Sequence, residues 1–206
     1  MRRCFKILLL MMAVITIFKA MIINGSEPPP QKETTETITT ETVPTTENPQ
    51  EVTTIEAEPE PIKTPPNLNI PLSEELETHI YEQCRQDDDL YCLVIAMIKN
   101  ESSFNEYAVS DDGHDHGLMQ LRDMYYDELI ENYNISDPTE PFDNVTAGIS
   151  MMQEYIEKYE YKNLALMAYN CGEAGAKSLW KSGVYSTEYT EKVLNDHNIY
   201  MREVKE

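Results

Sequence analysis

The chain has 206 residues, 16 basic and 37 acidic side chains and a formal charge of −21, a length that holds one domain of ordinary size plus tails. The charge is unevenly spread, at +4 over residues 1–24, −7 over 25–72 and −18 over 73–206. A domain that acidic repels phosphate backbones, which argues against a nucleic-acid partner.

Arg2, Arg3 and Lys6 precede an apolar run from Ile7 to Phe18, and Lys19 separates that run from Ala20-Met21-Ile22-Ile23. Residues 1–24 therefore read as a membrane anchor or a signal peptide. The weak cleavage site at Ile23-Asn24-Gly25 favours the anchor. The positive flank keeps the amino end in the cytoplasm. The rest is then expected outside the cell, either held at the membrane or secreted to the cell wall.

Residues 25–72 are rich in Thr, Glu and Pro, with ten of the twelve prolines and no aromatic residue. Such a stretch cannot bury enough surface to offset its ordering entropy and is expected to be a disordered linker. Proline and like charge extend it to a reach of about 150 Å at the polyproline rise. All thirteen Tyr, the single Trp and six of the seven Gly follow residue 72, so the folded unit is expected over 73–206.

In that unit the pattern turns helical. Ser73 is positioned to cap a helix reaching Arg85, with Leu76, Ile80 and Cys84 on one face. Asp87-Asp88-Asp89 breaks the chain and caps a second helix carrying Leu90, Leu93, Val94, Met97 and Ile98, which ends near Asn100-Glu101. Residues 102–117 are polar and contain Gly113 and Gly117, and predict a loop or a small hairpin. Helices follow over 122–133, from Asp143 with apolar positions at 145, 149, 152, 156 and 159, over 162–170 and 173–181, and from Ser186. No strand-like alternation of useful length is seen, and the fold class is mostly α. Cys84 and Cys92 flank the aspartate turn, where a local disulfide and two buried thiols are both compatible with the sequence. Cys171 reads as a small buried hydrophobe and Trp180 as a core anchor.

Glu101 is the candidate catalytic group. A carboxyl at a helix carboxyl end lies near the negative pole of the dipole, where its ionised form is disfavoured. A carboxylic acid kept protonated in this way can donate a proton to a leaving oxygen.

Four segments occur in order: Glu101-Ser102-Ser103-Phe104-Asn105 with Ala108-Val109-Ser110, then Gly117-Leu118-Met119-Gln120-Leu121, then Pro141-Phe142-Asp143-Asn144-Val145-Thr146-Ala147-Gly148, then Ala165-Leu166-Met167-Ala168-Tyr169-Asn170-Cys171-Gly172. Together, over residues 74–195, they resemble the soluble lytic transglycosylases. The stretch from Gly175 to Tyr189 is similar to versions found in Gram-positive mobile elements and prophages.

The resemblance implies a lysozyme-like α domain, of the goose-type lysozyme and lytic transglycosylase kind. It implies cleavage of the β-1,4 bond between N-acetylmuramic acid and N-acetylglucosamine in peptidoglycan glycan strands. Glu101 matches the family's catalytic acid. Ser110 matches a serine near that acid or the substrate, Gln120 and Tyr169 match polar groups lining the cleft, and Asn170 matches the asparagine that holds its segment. Gly117 and Met119 match residues shaping the cleft floor, where a side chain at 117 would obstruct the sugar.

Lytic transglycosylases need one carboxylate because the muramic acid's own 6-hydroxyl attacks, giving a 1,6-anhydro product. The loop from Ser110 to Gly117 is one residue longer than the family's usual loop and carries Asp111, Asp112, His114, Asp115 and His116. Asp115 is the candidate second carboxylate of a hydrolytic muramidase, the alternative reading. A third is a non-catalytic wall-binding clamp. No cofactor or metal is expected, because His114, Asp115 and His116 lack a further His or Cys to complete a zinc site. The expected partners are glycan strands, the membrane through the amino-terminal segment and no nucleic acid, with the chain itself a monomer.

Overall fold

The computed structural model describes residues 63–205. The expectations for the amino-terminal segment and for most of the linker lie outside the described residues. Among the described residues, no helix is long and apolar enough to cross a membrane.

The folded unit begins earlier than residue 73. Leu68 is buried, and Ile70 and Leu72 pack against the same core. They alternate with Asn67, Asn69 and Pro71, so this short strap lays every second side chain on the domain. Just before the strap, Lys63, Thr64, Pro65 and Pro66 line, with Tyr81, Asp88 and Val204, an open depression of about 580 Å³ that none of the candidate site residues touches.

Helix α1 runs Glu74–Gln83, and the Ser73 hydroxyl accepts from the Leu76 N–H at 3.2 Å. The chain then turns through Arg85 and Gln86, both with left-handed backbone. Asp87 caps α2, Asp88–Ser102, by accepting from the Leu90 N–H at 2.8 Å. Eight consecutive residues of α2, Tyr91 to Ile98, are buried. A helix buried on all sides is the axis of a helical domain.

After α2 the polar loop does contain a small hairpin, with β1, Asp115–His116, antiparallel to β2, Leu121–Arg122. An isolated bridge between Val109 and His116 adds a third segment beside it. A 3-10 turn at Asp123–Tyr125 leads into α3, Tyr126–Tyr133.

Helix α4 spans Pro141–Tyr159 and starts two residues before the expected Asp143. The Glu140 carboxylate is its cap, accepting from the N–H groups of Phe142 and Asp143, and proline suits the first helical position. Asp143 instead accepts from the N–H groups of Ser136 and Asp137 at 2.7 and 2.8 Å and ties down the incoming loop.

The two helices expected over 162–170 and 173–181 form α5, Lys162–Lys181, broken at Gly172 with φ 70° and ψ 157°. Helix α6, Glu188–Glu203, starts after Thr187, whose side chain forms a capping box with Thr190. Helix α2 packs along α6, while α4 packs on α1 and α5.

A second apolar cluster fills the space between the carboxyl half of α4 and the two halves of α5. Trp180 belongs to it, edge-on to Tyr159 with centroids 4.9 Å apart. Cys84 and Cys92 are both buried free thiols, so the disulfide is not formed.

Candidate active site

Glu101 sits in the last turn of α2, half-buried, three residues after the fully buried stretch of that helix ends at Ile98. Two residues ahead of it are clamped to α6. Lys99 Nζ lies 2.8 Å from Asp196 Oδ1, and Asn100 Nδ2 donates to Asp196 Oδ2 at 2.8 Å and to the Ala96 carbonyl at 2.9 Å. Beyond it, the Ser102 hydroxyl donates to the Ile98 carbonyl, and Ser103 and Phe104 leave the helix with φ of 53° and 65°. Phe104 packs back on the core. The backbone carrying the carboxyl is therefore held on both sides.

The loop after α2 is closed mainly by its own backbone. The Gly117 N–H donates to the Ala108 carbonyl at 2.8 Å, Ser110 N–H to Asp115 at 2.9 Å and Asp123 N–H to His114 at 2.9 Å. The Ser110 hydroxyl donates to Asp112 Oδ1 at 2.7 Å and accepts from the Asp115 N–H at 2.9 Å. It organises the loop. That hydroxyl first, and the His114 N–H and Arg122 after it, hold the Asp112 carboxyl down at about 2.

Asp115 Oδ1 accepts from Arg122 Nη1 at 3.0 Å, and His114 Nδ1 pairs with Asp123 at 2.8 Å. The His116 ring lies edge-on to Tyr126. The three potential metal ligands thus have three separate partners.

The hairpin is fastened to α4 by a buried asparagine. Asn144 Oδ1 accepts from the Met119 N–H at 2.8 Å, and its Nδ2 donates to the carbonyls of His116 at 3.0 Å and Pro138 at 2.7 Å. Gly117, at φ +75°, lies so close that an added Cβ would meet three Asn144 atoms at 2.5–2.8 Å. Met119 is wholly buried, and an added Cβ on Gly148 would meet its side chain at 2.8 Å.

Gly117 and Met119 are thus packed towards α4, and glycine at 117 is required by Asn144 and by its own backbone conformation.

Tyr169, on α5, joins the two halves of the site. Its hydroxyl donates to the Met119 carbonyl at 2.8 Å. Burial first, then the negative charge of Glu101, with Tyr155, Asp115 and Tyr133 adding to it, pushes its pKa well above the ordinary tyrosine value. The phenol remains a fixed donor, with Glu101 and Asp115 both within electrostatic reach of it.

Gln120, with φ 49°, uses its Nε2 to bind the carbonyls of Gly117 at 3.0 Å and Ala108 at 3.3 Å. Asn170 is half-buried beside Tyr169, two residues before the break at Gly172.

The structure therefore brings Glu101, Asp115 and Tyr169 into one neighbourhood. It assigns Ser110, Gly117, Met119 and Gln120 to building that neighbourhood. Three residues with large roles were not singled out from the sequence: Asn144, Asp196 and Arg122. Arg122, a rare base in a strongly acidic domain seven residues after Asp115, carried the strongest available signal.

Residues 79–193 match the family model described as the transglycosylase SLT domain. Among solved structures, the chain is similar to an inactive glutamate-to-glutamine mutant of the lytic transglycosylase Slt from Pseudomonas aeruginosa. The TM-score is 0.51 at 20% identity, over 62% of this chain and 24% of that one. The similarity thus spans about a quarter of the length of that structure and is a likeness of fold.

Proposed function

We propose, from the premise that this chain belongs to the family of transglycosylase SLT domains, that it cleaves peptidoglycan glycan strands as a lytic transglycosylase with Glu101 as the only acid and base. The observation that carries the reading is the placement of Glu101, at the end of a helix whose centre is fully buried and within electrostatic reach of Tyr169. The Pseudomonas Slt structure is of an inactive mutant with glutamate changed to glutamine, in keeping with a glutamate that such a domain cannot spare.

The proposed chemistry cuts the β-1,4 bond between N-acetylmuramic acid and N-acetylglucosamine. Glu101 gives its proton to the leaving O4 as the C1–O4 bond breaks. The muramic acid's 6-hydroxyl, already tethered next to C1, closes on that carbon with a high effective concentration. Glu101, now ionised, takes the hydroxyl proton and is restored. The product ends in a 1,6-anhydro ring, and no water is consumed. The Tyr169–Met119 hydrogen bond keeps α5 and the hairpin at a fixed spacing around that acid.

The proposal extends to location: the catalytic domain works outside the cell, attached through the amino-terminal segment or released to the wall. Fractionation of expressing cells tests this, since a purely cytoplasmic protein would contradict it. For the reaction, full-length protein is incubated with purified peptidoglycan and the fragments are analysed by mass spectrometry. Anhydro-muropeptides are expected. Products with reducing muramic ends would contradict the single-acid reading, and no release would leave a glycan clamp.

A further inference from the structure

The hairpin carries a carboxylate, Asp115, that like Glu101 lies within electrostatic reach of Tyr169, and its side chain is captured. Arg122 and Asp115 are register partners in β2 and β1, with Nη1 3.0 Å from Asp115 Oδ1. The other arm, Nη2, lies 3.4 Å from Asp112 Oδ2. Only about a quarter of the arginine side chain is exposed, at 26%. Partial burial works against its charge, but Asp115 and then Asp112 more than offset that, so the guanidinium is held charged. The loop does not depend on this pair for closure, because its backbone hydrogen bonds and the Ser110 hydroxyl already close it. What the arginine adds is control of a carboxylate.

We propose that Arg122 is a positioning residue that sets the outcome of cleavage, holding Asp115 on the hairpin so that no second carboxylate activates water and the products end in anhydro rings. The inference rests on the single-acid reading above. With Arg122 removed, Asp115 becomes available to accept a proton from a water molecule whose oxygen bonds to C1. The C1–O4 bond breaks and O4 leaves with the Glu101 proton. Glu101 then carries the negative charge and Asp115 the proton, and exchange with solvent restores both. Water is the one added reactant, and the product is a reducing end. With Arg122 present, the 6-hydroxyl attacks without that competitor.

The test compares full-length wild type, Arg122→Gln, Arg122→Lys and the double variant Arg122→Gln with Asp115→Asn on purified peptidoglycan. The readout is the ratio of reducing to anhydro muramic ends by mass spectrometry. A merely structural role would lower the rate without moving that ratio.

Arg122→Gln is expected to raise the ratio about tenfold, Arg122→Lys to keep it near wild type, and Asp115→Asn in the double variant to bring it back down. A ratio unchanged in active Arg122→Gln, or a rise that survives Asp115→Asn, overturns the inference. Should Arg122→Gln fail to fold by circular dichroism, Arg122→Met, which keeps the apolar stem and the bulk without the charge, takes its place, and an unchanged ratio there overturns the inference. Reducing ends from wild type would instead remove the reading beneath it. Anhydro ends from every variant would remove only the role of Arg122.

Discussion

Substituting Gly117 by alanine attacks the point where the hairpin is fastened to the helical core. Two costs follow from the structure. At φ +75°, a residue with a Cβ is strained by about 1–2 kcal/mol. The new Cβ would also meet Asn144 Nδ2, Cγ and Oδ1 at 2.5, 2.6 and 2.8 Å, so that side chain must leave its place. It makes three hydrogen bonds there, each worth about 1 kcal/mol on balance and more where a buried partner is left unpaired.

The sum is about 3–6 kcal/mol, a large part of the ~5–15 kcal/mol that holds a domain of this kind together. The melting temperature of the full-length chain, followed by circular dichroism at 222 nm, should fall by about 10–25 °C. A double-mutant cycle isolates the contact. With Asn144→Ala already present, Gly117→Ala should cost only the backbone part, about 1–2 kcal/mol, leaving a coupling of about 2–4 kcal/mol. A cost below about 1 kcal/mol in the parent, or equal costs in both backgrounds, would refute the reasoning.

Asp196→Ala frees both Lys99 and Asn100 at the end of α2. After allowance for solvent screening it should cost about 1 kcal/mol, yet lower kcat several-fold with KM little changed, as measured on soluble glycan strands. Tyr169→Phe removes the donor to the Met119 carbonyl and should cost about 1–2 kcal/mol in thermal unfolding.

A buried histidine, His197, with its partly exposed partners Asp89 and Lys162 gives the pH dependence. His197 Nε2 lies 3.1 Å from Asp89 Oδ1, which also pairs with Lys162. Burial, then the Lys162 charge, lowers the His197 pKa from its ordinary 6.5. The unfolded chain therefore binds the proton first, and stability falls as pH drops below about 6.5. For Asp89, burial is outweighed by Lys162 and His197, and the pKa is lowered from 3.8. Its contribution is present above that value and is lost as pH falls through the lower folded value. Melting temperatures taken from about pH 7 to pH 5 should decline, and His197→Gln should flatten that decline.

The helices were legible wherever their ends are built from neighbouring residues. Ser73 and Asp87 each cap the helix that follows by accepting from an N–H three residues on, and Gly172 marks the break between the two expected halves of α5. At α4 the same logic chose Asp143, because aspartate is a good cap. The less usual Glu140 takes that place and Asp143 serves the loop before it. Leu68, Ile70 and Leu72 did carry an alternating pattern, but it lay at the end of a stretch whose composition spoke for a linker.

At the site, Glu101 and Tyr169 stood out through motif resemblance, whereas their supports are distant in sequence. Gly117 needs Asn144, and Asn100 needs Asp196. A buried asparagine on an apolar helix face looks like any helical polar residue until its partners are known. Strands of two residues are too short to alternate, so apart from its being a rare base near Asp115, no pattern announced that Arg122 stands across from it.

The sharpest test of the whole account is Glu101→Gln in the full-length chain, with turnover and glycan binding measured on the same preparation. The side chain keeps its size and loses its proton. Turnover should drop by about 10³-fold while the affinity for glycan strands stays within about twofold of wild type. A variant that still cleaves peptidoglycan at the wild-type rate would contradict the account at its centre.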